Sequence, residues 1–351
     1  MTTYLSVLSS RLQQAIGDEN AAFASRYTQA INDAARETYP TLSKKVIDYS
    51  LVSGNVLPNS HFESWAATTI PDLYTTSTGG CLQETTTIRG SRGTSSCKVT
   101  ASGANDYMSL TSASWPSLLG LMGKTIPFEC WAYPQTANDA TIIIYTVQAD
   151  GTEQTLTSTT TCPASKWTLL TLGASLNDDL VDIQFRFNVA TDGQYVIFDN
   201  SHAIGDTLQY LLPTSVRDVS YAGLQLDSDD FNLSGRFRDI VNPQVINDGT
   251  YKYLLTPRLS PGKIIKLEGT GYLEDDLDES TDTMSIDDPE TNVLVTYAAY
   301  LLYERVSSIP SSDSSGRYER EAAKWLNKFY ILRDNLTSPF RTRKLKLPTP
   351  Y

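Results

Sequence analysis

Asn55-Val-Leu-Pro-Asn-Ser-His-Phe-Glu-Ser-Trp65 marks a change in the character of the chain. Before it the sequence reads as two helices and a strand. After it a Thr-, Ser- and Gly-rich stretch of short alternating segments runs as far as Tyr195-Val-Ile-Phe-Asp-Asn200. At Leu208-Gln-Tyr-Leu-Leu-Pro213 the first character resumes. The pattern is that of one domain inserted into another, with 1–53 and 204–351 as host and 54–203 as insert. A chain of 351 residues has room for about two domains.

Within the insert, residues 98–100, 126–133, 141–147, 167–171, 181–189 and 194–198 read as strands. Asn138-Asp139, Asp150-Gly151 and Asp192-Gly193 supply turns between them. Many short strands with such turns imply a β-sandwich. In the host, Leu5, Leu8, Leu12 and Ile16 recur at helical spacing, as do Phe23, Tyr27, Ile31 and Ala34. Tyr39-Pro40 ends the second helix, because the residue before proline is pushed out of the helical region. Residues 46–52 read as a strand, as do 208–212, 216–225, 251–256 and 263–269, with Asn247-Asp-Gly249 as a hairpin turn. Helices are expected over about 289–308 and 315–335, around Val293, Tyr297, Tyr300, Leu301 and Leu302, then Ala322, Trp325, Leu326, Phe329, Tyr330 and Leu332. The fold class expected is therefore α+β: a helical domain with a small β-sheet, interrupted by an all-β sandwich.

The net charge of −12 argues against wrapping nucleic acid, which requires clustered Lys and Arg. The insert holds six Lys and Arg against thirteen acids, so it contributes −7 of that charge. No apolar run exceeds strand length, and the N-terminus lacks a basic region followed by an apolar one; a soluble protein made in a cytoplasm is expected, with no membrane partner. All four cysteines, Cys81, Cys97, Cys130 and Cys162, lie in the insert without a CxxC pair, which disfavours zinc. Buried small hydrophobes are the favoured reading over disulfides, with Cys81 and Cys97 as the pair open to bridging in an oxidising exterior.

Signals for catalysis are thin. His61 and His202 flank the insert, where incoming and outgoing chain would bring them together, but turn histidines are the favoured reading. No metal-binding His motif, nucleophile elbow, phosphate loop or dinucleotide fingerprint occurs. Asp275-Asp-Leu-Asp-Glu-Ser-Thr-Asp282 has the carboxylates for calcium but lacks the central glycine and terminal glutamate of an EF-hand loop. It reads as a solvated acidic loop, and the protein as no enzyme.

Two resemblances extend this reading. The stretch from Asn55 to Trp65 resembles the opening of jelly-roll carbohydrate-binding modules, N-L-x-N-x-x-F-E-x-W, and Tyr195-Val-Ile-Phe-Asp199 resembles their closing strand. That family often holds a structural calcium near its paired ends, which nominates Glu63 and Asp199 as ligands; no other cofactor is expected. Asn200, Ser201 and His202 depart from the family pattern, where an apolar strand residue is usual. Such modules hold sugars on aromatic rings, because pyranose C–H faces stack there. Trp131, Tyr133 and Tyr145 are the candidates, with Trp131 and Tyr133 alternating onto one sheet face; packing in the sandwich core is the competing role.

The host resembles head-to-tail adaptor proteins of tailed bacteriophages. The carrying motifs are Ala30-Ile-Asn-Asp-Ala-Ala-Arg-Glu-Thr-Tyr-Pro40, Gly262-Lys-Ile-Ile-Lys-Leu-Glu-Gly269 and Leu294-Val-Thr-Tyr-Ala-Ala-Tyr-Leu-Leu-Tyr303. The resemblance implies a structural virion protein, assembled in the host cytoplasm, that forms a ring, usually of twelve copies, at the neck between portal and tail. Its expected partners are the portal protein, a tail or stopper protein, further copies of itself, and DNA passing through the lumen without specific binding. Trp325, Phe329 and Tyr330, with Arg341, Arg343, Lys344 and Lys346 of the basic tail, are the nominated portal or subunit contacts; packing within the subunit is the alternative for the aromatics. The insert would decorate the neck or grip host glycans. The rival reading is a cell-surface glycan-binding adhesin or a protein attached to a tail fibre.

Overall fold

The computed structural model describes residues 2–18, 23–89, 93–226, 237–307 and 315–337. The chain divides into two compact units, Met1–Lys45 with Thr270–Tyr351, and Val46–Gly269.

The first unit is helical. It contains β1 (Thr3–Tyr4), α1 (Leu5–Ile16), α2 (Ala24–Glu37), β19 (Thr283–Met284), α3 (Glu290–Ser307) and α4 (Ser315–Thr337), numbered in chain order. The spacing read from the sequence is the buried face: Leu5, Leu8 and Leu12 of α1 meet Tyr27, Ile31 and Ala34 of α2, Val293, Leu301 and Leu302 of α3, and Trp325 and Phe329 of α4. Gly17 closes α1 in the left-handed conformation (φ 69°), which a side chain resists. The acidic stretch is tied down by bases of the same unit: Arg11 bonds Asp288 at 2.6 Å, Lys44 bonds Glu274 at 3.1 Å, and Arg36 pairs with Asp275. Asp282 accepts the N–H groups of Asp278 and Glu279. These contacts hold the acidic loop in place.

The second unit is built on two antiparallel five-stranded sheets. Sheet I runs β10 (Thr168–Ser175), β7 (Thr125–Pro134), β12 (Tyr195–Ala203), β5 (Ser96–Thr100), β4 (Gly80–Glu84). Sheet II runs β3 (Thr75–Thr76), β6 (Asp106–Thr111), β11 (Leu180–Val189), β8 (Ala140–Gln148), β9 (Glu153–Thr157). Alternation sorts each strand: Phe128, Cys130 and Ala132 of β7 and Ile142, Ile144, Phe185 and Phe187 of β8 and β11 are buried together. Phe128 meets Phe185 edge-on at 5.0 Å, and Phe187 touches Phe62, Tyr74, Phe128 and Phe198. Each buried phenylalanine contributes about 1.5–3 kcal/mol of transfer free energy.

The opening motif owes its form to this seam. Asn55 bridges the incoming and outgoing chain: its Nδ2 donates to Ser201 O (3.1 Å), and its Oδ1 accepts the N–H of Ala203 (2.9 Å). Asn59 brackets the following turn by donating to Ser64 O and accepting its N–H, each at 2.9 Å. Gly54 sits at φ 77°, where a Cβ would lie 3.0 Å from Pro261 Cβ.

Beyond the seam, β2 (Lys44–Val52), β14 (Asp218–Gln225), β15 (Phe237–Asp239) and β18 (Ile264–Gly271) form a sheet in the order β15-β14-β18-β2. A three-stranded sheet, β13 (Gln209–Leu211), β17 (Lys252–Leu255) and β16 (Gln244–Asn247), turns through Asn247–Gly249 as read from the sequence.

The expected fold class requires correction. Strands occupy 37% of the described residues and helices 23%, so the protein is mostly β and not a helical adaptor domain carrying an insert. The physical reason is shared burial. Leu211 and Tyr253, from strands assigned to the host, lie in the sandwich core; Tyr253 stacks near Trp115 at 5.9 Å, and the Tyr210 hydroxyl accepts the N–H of Gly54 at 2.9 Å.

Candidate functional site

The outer face of sheet II carries a diagonal strip of three side chains. Arg186 projects from β11 opposite the buried Phe185 and Phe187, because strand residues alternate between faces. Tyr145 on β8 pairs across from Gln184, and Tyr107 on β6 pairs across from Asn188, which places one ring on either side of Arg186. The Arg186 guanidinium carbon lies 3.8 Å from the Tyr145 ring centroid and 4.4 Å from that of Tyr107. A relay fixes its long axis: Ser112 donates to Asp182, Gln184 Nε2 donates to Asp182 Oδ2 (2.7 Å), and Arg186 Nε donates to Gln184 Oε1 (3.0 Å). Arg186 has no ion pair among the described residues. All three side chains of the strip are half-buried, so each keeps part of its surface in contact with solvent.

Sheet I treats similar ingredients differently. Trp131 and Tyr133 both project from its outer face, as their alternation indicated, and away from the core. The Arg89 guanidinium lies 3.9 Å above the Trp131 ring and caps it, while Tyr133 packs on Trp167 at 5.5 Å. Asp199, opposite Trp131 on β12, is buried and accepts the Arg89 N–H at 2.8 Å. Burial pushes its carboxyl up to about 7, against the pull of the Arg89 and Asn200 N–H groups. Tyr145 thus stands on the opposite sheet from Trp131 and Tyr133, and the three do not form one site.

Glu63 and Asp199 come near enough for Glu63 to raise the Asp199 pKa. Their partners, however, are donors. Glu63 accepts two bonds from the Thr94 N–H (2.9 and 3.1 Å), one from its hydroxyl (2.8 Å) and one from the Ser95 N–H (3.1 Å). Calcium needs about six to eight oxygen ligands, and N–H groups supply none. Among the described residues, no cluster of three or more His, Cys, Asp or Glu side chains is placed to hold a metal. The donor set does not fit calcium.

The His61 and His202 rings meet at 6.0 Å across the seam. All four cysteines are buried and free, and burial pushes the Cys97 and Cys130 thiols up, which keeps them unreactive. Trp325 and Phe329 lie in the helical core, Phe329 at 4.6 Å from Tyr297, whereas Tyr330 is exposed. Arg341, Arg343, Lys344 and Lys346 lie outside the described residues. Arg186, Tyr107 and Gln184 were not singled out from the sequence. The available signal was a lone basic residue at an outward position of an otherwise apolar alternating strand.

No known protein family and no curated protein matches the chain. Among solved structures, it is similar to the C-terminal family 22 carbohydrate-binding module of Clostridium thermocellum Xyn10B, at 17% identity and TM-score 0.36 over 43% of this chain and 93% of that one. It is also similar to a family 61 module in complex with beta-1,4-galactotriose, at 11% identity and TM-score 0.31 over 44% and 99%. A third likeness is to the enzymatically active domain of bacteriophage CBA120 tailspike protein 4, at 12% identity and TM-score 0.31 over 43% and 21%. Likenesses of this size carry no functional assignment, and nothing in them bears on a head-to-tail adaptor.

Proposed function

We propose that this chain is a non-catalytic glycan-binding protein whose sandwich receives sugar on the outer face of sheet II. The observation that carries the reading is the Tyr107–Arg186–Tyr145 strip. The exposed part of each ring offers apolar surface to sugar C–H groups, and the adjoining guanidinium and Gln184 amide offer hydrogen bonds to hydroxyls. The strip is held by the relay through Asp182, so little freedom is lost when a sugar settles on it. The setting matches the rival reading of the sequence, an adhesin or a protein attached to a tail fibre. Several copies on one particle would make weak individual sites effective.

The neck reading, with portal, tail and ring partners, has no observation among the described residues that favours it. Trp325 and Phe329 are engaged in their own helical core. The virion location belongs to this proposal only as a glycan-facing position.

Glycan-array binding by the full chain tests the reading, repeated with Tyr145→Ala. Wild-type binding that drops about tenfold in the variant, at unchanged melting temperature, supports it. Absence of binding to any glycan overturns it. Immunogold labelling of source virions tests location: label at tail tips or fibres agrees, and label at the neck restores the adaptor. Release of reducing ends from a bound polysaccharide would refute the non-catalytic part.

A further inference from the structure

The strip on sheet II contains more than a sugar platform requires. Neutral glycans are satisfied by rings and by uncharged donors and acceptors. Here a full positive charge stands at the centre of an outer face, in a protein whose net charge is −12. In such a protein an exposed guanidinium would ordinarily find an internal carboxylate. Arg186 instead uses Nε on a neutral amide, Gln184, and neither Nη has a hydrogen-bond partner among the described residues. Neither Nη is buried. The nearest acid on its own strand, Asp182, is occupied by Ser112 and Gln184. Glu153 lies on β9, one strand beyond β8, and sits close enough to Tyr145 to raise the pKa of its hydroxyl.

The consequence is a guanidinium whose plane is fixed by two rings, whose axis is fixed by one amide, and whose forked end is left open. That fork matches a carboxylate through two parallel hydrogen bonds, and a pre-positioned fork loses little entropy on pairing. The overall negative charge does not forbid this. At physiological salt, exposed charges farther apart than about 8 Å are largely screened, so the local guanidinium governs.

Resting on the glycan reading above, we infer that the sheet II site selects sugars bearing a free carboxylate, with Arg186 binding the carboxylate and Gln184 positioning Arg186. Tyr107 and Tyr145 flank the charged group, so a uronic acid unit can pair its carboxylate with the fork while its ring lies against one of them.

The test measures calorimetric binding of oligogalacturonate and of its methyl ester, which share a backbone and differ only in the free carboxylate. The full chain is compared with Arg186→Lys and Gln184→Leu, and melting temperatures confirm folding. The expected result is a preference for the free acid of about tenfold or more, with an acid-to-ester affinity ratio that shrinks in both variants even where binding of the ester also weakens. Because the readout is a ratio, partial loss of fold alone does not mimic it. Equal affinity for acid and ester, or for other neutral and acidic glycans of matched backbone, overturns the carboxylate assignment and leaves glycan binding standing. Dextran sulfate binding that depends on Arg186, without binding of the uronate, overturns it in favour of a sulfate ester. Absence of binding to every glycan means that the underlying reading has failed.

Discussion

The two outer faces of the sandwich both stack an arginine on an aromatic ring, yet one face is closed and the other open. On sheet I, Arg89 covers Trp131, and its backbone N–H is spent on a buried carboxylate, Asp199. On sheet II, Arg186 lies between Tyr107 and Tyr145 and presents its forked end outward. The stack alone therefore does not define a site. What separates the faces is where the acids sit: under the arginine on sheet I, and already engaged by neutral neighbours on sheet II.

The largest expected effect removes both faces together. Phe187→Ala takes away a ring that touches four others and should cost about 3–5 kcal/mol, measured by urea denaturation. Next comes the acid beneath sheet I. The folded Asp199 carboxyl lies at about 7, above its ordinary value of 3.8, so the folded state binds the extra proton between those values. Its stabilising contribution is complete below about pH 4 and is lost as pH rises through about 7. The difference in melting temperature between wild type and Asp199→Asn should shift by several degrees across that window; a flat difference would refute the raised pKa.

A smaller effect sharpens the contrast between open and closed rings. Arg89→Ala should uncover Trp131, increase acrylamide quenching of tryptophan fluorescence, cost about 0.5–1 kcal/mol and leave glycan affinity unchanged. If glycan affinity fell instead, the binding face would be sheet I. The smallest expected effect is none: excess calcium or a chelator should leave the melting temperature unaltered, since Glu63 is bonded by donors. Calcium-dependent stabilisation would show that the carboxylates rearrange around an ion.

Periodicity made much of this architecture legible. The alternation of Thr141–Tyr145 is β8, and the Leu5, Leu8, Leu12 spacing is the buried face of α1. Composition misled where partnership is not local. The strands after Leu208 follow the sandwich in sequence and read as part of a helical host, but Leu211 and Tyr253 are buried with the sandwich. The candidate site was half legible for the same reason. Tyr145 is an outward ring in its strand, but alternation does not reveal which sheet a strand joins, so the sequence groups it with Trp131 and Tyr133. Asp106–Thr111 lies outside the strands expected from the sequence, and it carries Tyr107, the second ring of the strip.

The Asn55 bracket has a mechanical consequence. Chain enters and leaves the sandwich side by side at Asn55 and Ile204, whose backbones pair directly. When a bound surface drags on the sandwich and the flanking chain resists, tension arrives through two neighbouring strands at one corner instead of through opposite ends. The load is split between them, and the hydrogen bonds that Asn55 donates to Ser201 and accepts from Ala203 are the first to feel it. A tether of this kind yields, if it yields at all, by opening at its root, while sheet II remains folded.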